Sequence, residues 1–408
     1  MKCDAYFLQN IVQHYPWGEE TAIPELLGIK ADGRPFAELW MGDHPRGPSK
    51  VLSNEGKFEE LGDLLSTNPE AFLGSGINGK YGGRLPFLFK VLAAKTPLSI
   101  QAHPNKAQAE AGFAREEAAG IPIDAPHRNY RDRNHKPEII AALTPFTAMC
   151  GFRDRSEIID GFSRLKSRTA EEKLLPLLKG KEHALSSFFT ALLNLEKEDS
   201  KELTDALASW AREERGPLDG KQKEAALVRR FIDYYPDDPA VSAPLYLNVI
   251  RLAPGQALYQ PAGLLHAYVE GVGVELMANS DNVLRGGLTH KHIDMNELES
   301  VLIFSSATPA ILTPVKSNTG LFRYQTPAQE FELQRFDGGE ATIEGRFPAV
   351  VLVTKGHLLF RVSGQADSVE AKRGQSLFLP ASCGLQIKGE GQAYIATLPG
   401  DLLGEIIS

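Results

Sequence analysis

Gly255-Gln-Ala-Leu-Tyr-Gln-Pro-Ala262 and Gly374-Gln-Ser-Leu-Phe-Leu-Pro-Ala381 are two versions of one short phrase. In each, a glycine opens a turn, a β-prone run follows, and a proline beside a small residue closes it. That pattern suits a turn and strand of a small double-sheet β-barrel of the jelly-roll kind. The surroundings agree. Leu245-Tyr-Leu-Asn-Val-Ile-Arg-Leu leads into the first copy, while Val350-Val-Leu-Val and Leu358-Leu-Phe-Arg-Val precede the second. Where the first copy places His266, the second places Leu385. The expectation is two barrels, the second of which has lost that polar position and serves as packing.

Outward from these copies, the first 150 residues are rich in Gly, Pro and short apolar runs, which suits short strands joined by turns. Leu85-Pro-Phe-Leu-Phe-Lys-Val-Leu and Leu98-Ser-Ile-Gln-Ala-His-Pro read as two such strands. The character changes after Arg153. Ile158, Ile159, Phe162 and Leu165, then Leu185, Phe188, Phe189 and Leu192, recur at helical spacing. Leu203, Leu207 and Trp210 continue the pattern, and Leu227, Val228, Phe231 and Ile232 close it; Gly216-Pro217 and Tyr235-Pro236 punctuate it. The fold class expected is mainly β with an α-helical insertion: two cupin or jelly-roll β-barrel domains plus a helical domain. Residues 1–152 and 239–310 would form a discontinuous catalytic β domain, 153–238 the helical insertion, and 311–408 the C-terminal cupin-like domain.

A chain of 408 residues is long for one core, so several domains are expected. The formal net charge of −8 argues against a nucleic-acid binder and requires any anionic substrate to find a locally positive pocket. No apolar run approaches the roughly 20 residues that span a bilayer, and no secretory signal pattern opens the chain. Cys3, Cys150 and Cys383 are widely spaced with no CxxC pair, which supports neither a disulfide framework nor a thiolate zinc site. A cytoplasmic protein is expected, with no nucleic-acid or membrane partner. The acidic helical segment offers no evident dimer face, so a monomer or weak homo-oligomer is expected.

Four short stretches carry candidate chemistry. In Gln101-Ala-His103, residues two apart share one face of a strand and can converge on one point; an ordinary hydrogen-bonded pair is the alternative. Asn134-His-Lys-Pro-Glu138 packs an imidazole, an ammonium and a carboxylate before an apolar run. Pro137 biases Lys136 to an extended backbone; a charged turn into a buried strand is the plainer reading. His266, in an apolar run, is a ligand or a satisfied core residue. Arg285-Gly-Gly fits close backbone approach to a ligand with a guanidinium forked onto oxygen anions, or an arginine closing a turn onto Asp281 or Glu275. One amide, two imidazoles and a carboxylate form a plausible Zn²⁺ ligand set with a position left for water or substrate.

These motifs, in this order, resemble the type I mannose-6-phosphate isomerase family of zinc-dependent enzymes built on cupin barrels. The resemblance runs from Gln9-Asn-Ile-Val-Gln-His-Tyr-Pro-Trp-Gly18 through Ala37-Glu-Leu-Trp-Met-Gly-Asp-His-Pro45. It is strongest at Leu85 to Pro104, at Tyr130-Arg-Asp-Arg-Asn-His-Lys-Pro-Glu138 and from His266 to Lys291. It implies one zinc ion per chain on Gln101, His103, Glu138 and His266, and a catalytic role for Arg285. It places Lys90, Ser99 and Lys291 near the sugar phosphate. His290 departs from the proline that many relatives carry there.

The implied reaction interconverts mannose 6-phosphate and fructose 6-phosphate through an enediol or enediolate. It needs a base over the carbon and stabilisation of an oxyanion. Lys136 is the first candidate for the base, because burial and a nearby dication both depress an ammonium pKa; Glu275, Asp281 and His135 are the others. Rival readings are another cupin enzyme, an oxygenase or epimerase, and a sugar-phosphate sensor without turnover. Arg285 and Lys136 beside the ligands speak against the sensor, since binding alone needs neither.

Overall fold

Short β-prone runs and long helical ones separate in space as they do in sequence. The computed structural model describes residues 4–52, 57–180, 183–214 and 221–400. Cys3 and Gly216-Pro217 lie outside them. Two large antiparallel sheets make up the β part, and a helical layer over residues 155–246 packs against strands of one of them. Of the cysteines, Cys150 is a buried free thiol, whereas Cys383 is disulfide-bonded, a pairing that the wide spacings do not suggest.

The first sheet is organised by His266–Ala278, a strand of 13 residues. Its later half pairs with Phe87–Ala94 on one side and Glu138–Ala142 on the other. Its opening half pairs with Phe146–Phe152 and with Gln101. The strand thus changes neighbours midway, and the change falls at Gly271, whose φ is 119°. A Cβ there would lie 2.7 Å from the Pro145 carbonyl oxygen, so only glycine lets the two strands cross this closely.

The second sheet repeats the plan. Ala257–Gln260 and His266–Ala278 have as counterparts Ser376–Leu379 and Leu385–Thr397, 4 and 13 residues long in both copies and in the register of the sequence echo. Gly255 and Gly374 open both copies at φ of 87° and 85°. The partners correspond too. Glu138–Ala142 lies beside Ala257–Gln260 with Glu138 opposite Gln260, and Ala349–Lys355 lies beside Ser376–Leu379 with Ala349 opposite Leu379. Leu385 is fully buried in an apolar cluster with Phe360, Ile387 and Ile395.

The sheets also exchange strands. Tyr6–Gln9 pairs with Ser376–Leu379 and carries Lys50–Leu52 and Phe58–Glu60 beyond it. In return Ile311–Leu312 pairs with Ala257–Leu258 of the first sheet. One apolar core joins the facing layers, with Phe89, Ile139 and Leu276 from one sheet and Tyr394, Leu352 and Phe378 from the other.

The helices run from Arg155 to Tyr246, further than periodicity indicates. Asp238 accepts from the Ala240 amide and Pro239 occupies a first-turn position where it costs nothing, so a short 3₁₀ turn and a final helical turn follow Tyr235-Pro236. Phe162, Phe188, Phe189, Leu203, Leu207 and Phe231 are fully buried, each contributing roughly 1.5–3 kcal/mol. They share a core with Ile100, Ala102, Leu265, Ala267 and Leu284. The helical layer therefore backs the strands that carry Gln101, His266 and Arg285.

Candidate metal centre and cavity

His103 stands where the two-residue strand Gln101–Ala102 gives way to the helix Lys106–Ala118. Asn105 caps that helix reciprocally with Gln108, and the Gly263 amide donates to the His103 carbonyl at 2.9 Å, so the backbone on both sides is fixed. Glu138 is the first residue of its strand. It follows a proline whose carbonyl accepts from Ala278 at 3.1 Å. His266 opens the long strand opposite Gln101 and Cys150.

These three side chains meet. One ligand atom from each of His103, Glu138 and His266 lies within 4.8 Å of the others, and all three residues are buried. His103 Nδ1 faces the Asn282 carbonyl at 2.7 Å, and His266 Nδ1 faces the Leu264 carbonyl at 3.1 Å. A carbonyl only accepts, so each Nδ1 carries the proton and each Nε2 presents a lone pair. Those Nε2 atoms approach Glu138 at 3.4 and 3.2 Å. Burial and the Lys136 ammonium push the His103 imidazole down to about 4, so it is neutral at neutral pH. Burial opposes ionisation of Glu138, but the Lys136 ammonium holds it well below the usual carboxylate range.

Two lone pairs aimed at a carboxylate repel unless a cation lies between them. His103 Nε2, Glu138 Oε2 and His266 Nε2 are buried without a hydrogen-bond partner, an arrangement that costs several kcal/mol in the absence of an ion. Tetrahedral zinc with bonds of about 2.0–2.1 Å would set its ligand atoms about 3.3 Å apart, close to the two spacings seen. The residues fit Zn²⁺. Among the described residues no other group of three such ligands is this close.

A cavity of about 290 Å³ opens beside the cluster. Lys136 joins the two: it lines the cavity, and its Nζ donates to Glu138 Oε1 at 2.8 Å. Tyr15, Trp17 and Trp40 form an aromatic wall, and Arg46, Arg131, Arg285 and Lys291 a cationic one. Burial and then Arg131 lower the Arg285 pKa; burial, Arg285, Arg131 and Arg46 lower that of Lys291. Arg131, Arg285 and Lys291 have no carboxylate at ion-pair distance among the described residues, so their repulsion stands ready for an anion. A larger hollow of about 630 Å³ beside Tyr324 and Pro399 holds no ligand cluster.

The other sequence-predicted residues are placed as follows. Gln101 lies in register between His266 and Arg285. Lys90 lines the cavity, but its ammonium is held by Glu275 at 3.0 Å and Glu38 at 3.6 Å; burial lowers its pKa, and these carboxylates raise it further than burial lowers it. Glu275 is buried, which raises its carboxyl although Lys90 opposes this. Asp281 lines the cavity, bound by Arg46 at 2.5 Å and near His44 at 3.6 Å. His135 turns away to Glu330 at 2.7 Å, and Ser99 is half-buried outside the cavity wall. His290 is exposed, with its ring 5.4 Å from that of Tyr235. Sequence reasoning missed Arg46, Arg131 and the aromatic wall. Arg131 sits inside Tyr130-Arg-Asp-Arg-Asn-His, and that density of cations before the ligand carboxylate was the available signal.

A strand-borne His–Glu–His centre against a cationic, aromatic-walled cavity defines a mononuclear metalloenzyme site for a small anionic substrate. The chain as a whole is similar to known proteins. The sequence profile of the phosphomannose isomerase type I catalytic domain matches residues 6–155. A mannose-6-phosphate isomerase from Shigella flexneri is 40% identical, over 94% of this chain and 97% of its own. The human mannose-6-phosphate isomerase is 32% identical, over 97% and 96%. A zinc-bound mannose 6-phosphate isomerase structure is 38% identical, covers 97% of this chain and 99% of its own, and superposes with a TM-score of 0.87. The chain belongs to the type I phosphomannose isomerase family.

Proposed function

We infer that this chain is a zinc-dependent aldose–ketose isomerase that interconverts D-mannose 6-phosphate and D-fructose 6-phosphate through an enediol or enediolate. The observation that carries this is the trio of buried ligand atoms without hydrogen-bond partners, set against a cavity in which Arg131, Arg285 and Lys291 have no carboxylate at ion-pair distance among the described residues. His103, Glu138 and His266 would hold the ion, with Gln101 as fourth ligand, one ion per chain. Zinc held there supplies a Lewis acid for the carbonyl and hydroxyl oxygens of the reacting carbons.

The reaction removes the proton on C2 of the open-chain aldose and returns one to C1, while a proton passes from O2 to O1. Lys136 is the group best placed to move the carbon-bound proton. Of the other candidates, Glu275 is tied to Lys90, Asp281 to Arg46, and His135 to Glu330. Lys136 is held by Glu138, the carboxylate that a metal would claim. Arg285 stabilises the developing oxyanion. Arg131 and Lys291 take the phosphate, whose binding orients C1 and C2 from a distance. Tyr15, Trp17 and Trp40 exclude water from the sugar. Lys90 and Ser99 complete the surroundings, Lys90 by holding Glu275 and the Trp40 face.

The division into residues 1–152 with 239–310, 153–238 and 311–408, and the cupin description of both sheets, belong to the same reading. Among the described residues no helix is long and apolar enough to cross a membrane. A cytoplasmic monomer or weak homo-oligomer, without nucleic-acid partners, completes it. The test is fructose 6-phosphate formation from mannose 6-phosphate before chelation, after it, and after zinc is restored. Activity lost and regained supports the reading, and an inactive, folded, zinc-loaded protein overturns it.

A further inference from the structure

Residues 311–400 contribute no ligand to the metal cluster and no wall to the cavity beside it, yet one of their side chains reaches the segment that carries both. Glu330 Oε1 lies 2.7 Å from His135 Nε2. The pair is mostly buried, at 17% and 29% side-chain exposure, and Glu330 Oε2 is buried without a hydrogen-bond partner. His135 hydrogen bonding holds the Glu330 carboxyl below its ordinary value against the opposing effect of burial. The carboxylate is itself well anchored, because the adjoining Phe331 and nearby Ala328 sit in the core shared by both sheets.

What this contact fixes follows from the backbone around it. Up to Asn134 the segment is stitched down: Asn282 accepts from the Arg131 amide at 2.7 Å and donates to the Asn134 carbonyl at 2.9 Å. From Pro137 on it is held by Ala278 and then by the sheet. Between these ties lie only His135 and Lys136. Among the described residues no backbone hydrogen bond holds either amide, and the Lys136 side chain bonds to Glu138. The His135 ring is therefore the remaining clamp on the dipeptide.

We propose that Glu330 is a positioning residue, which holds His135 and thereby sets the place of Lys136 against the metal centre and cavity. This rests on the isomerase reading. It gives the apolar second sheet a part in the reaction: it is the platform from which one carboxylate fixes the loop of the first.

The experiment uses the full-length zinc-loaded protein and compares Glu330→Gln, Glu330→Ala, His135→Asn and the double variant His135→Asn/Glu330→Ala. Three readouts are taken: steady-state kinetics with mannose 6-phosphate, zinc content, and amide exchange of peptides spanning residues 130–140. Glu330→Ala is expected to lower kcat by about 5- to 50-fold with KM nearly unchanged, because small misplacement near reacting groups is costly. Zinc content should hold, and exchange should quicken around 133–136 alone. Glu330→Gln, which keeps an acceptor for His135, should fall between Ala and parent. In the His135→Asn background Glu330→Ala should add little, whereas a general structural role would add in full.

Parent-like kcat and parent-like exchange in Glu330→Ala overturn the proposal, as does additivity in the double variant. If Glu330→Ala does not fold, Glu330→Gln decides: parent-like kcat and local exchange overturn the proposal, and a partial loss with quickened local exchange supports it. Should the parent prove inactive, the isomerase reading fails, and the exchange comparison still tests the clamp.

Discussion

His266–Ala278 and Leu385–Thr397 are strands of equal length, each following the same turn and each flanked by corresponding partners. The first begins with the His266 imidazole, which faces Glu138 across the sheet layer; the second begins with Leu385, and Ala349 stands where Glu138 does. Around the first, Lys90, Lys136, Glu138 and Glu275 are buried together, each compensated by another charge. Around the second, the interior is Leu, Ile, Val and Phe. One backbone plan therefore supports either a paired polar interior or a dry one. Burying polar atoms is costly without partners, and a metal ion would partner His103 Nε2, Glu138 Oε2 and His266 Nε2.

The sharpest way to break the comparison is to give the first sheet the residues of the second. His266→Leu or Glu138→Ala should reduce isomerase activity by about a thousandfold or more and abolish stoichiometric zinc, measured by kinetics and metal analysis. Arg131→Ala tests the cationic wall, which has no counterpart in the dry interior. KM for mannose 6-phosphate should rise about 10- to 100-fold with kcat less affected, since one charge-assisted contact to phosphate is lost. In the second sheet, Leu385→Ala should leave kcat per folded molecule unchanged and cost about 2–5 kcal/mol in denaturant unfolding.

The smallest expected effect concerns pH. Burial pushes the Asp43 carboxyl up to about 6, with Arg84 and the Leu85 amide offsetting part of it. A raised folded-state pKa means the native state binds the proton more tightly. The associated stability is therefore present below the unfolded value of 3.8 and is lost as pH rises through about 6. Unfolding free energy should show a component of about 1–3 kcal/mol declining over that window, absent in Asp43→Asn. An unchanged pH profile in Asp43→Asn would count against the buried, weakly compensated carboxyl as its source.

Much of this comparison was legible in the chain. The echo at Gly255 and Gly374 marks both turns because each needs a left-handed backbone that glycine adopts freely. The helical run from Ile158 to Ile232 was readable because one apolar face repeats at helical spacing. His103, Glu138 and His266 were each ambiguous alone, since a hydrogen-bonded pair, a charged turn or a core histidine reads the same way; their combined ligand chemistry and the family resemblance pointed to one site. The cationic wall was readable only in part: Arg285 and Lys291 were singled out, whereas Arg46 and Arg131 come from two distant segments, and only the density of cations around Arg131 hinted at its place. The strand exchange escaped for the same reason. Tyr6–Gln9 looks like any short strand, and its partner near residue 377 is set by long-range register rather than by period.

That exchange has a consequence for how the chain is made. Leu8 pairs with Ser376, so a strand made early borders one made much later. At about 5–20 residues per second, the wait between them is roughly 20–75 seconds. Throughout it, the edge of Tyr6–Gln9 that will meet Ser376–Leu379 has no partner within its own sheet. The newly made strand must remain soluble through that interval, and translation has to pass Thr397 before the second sheet can close.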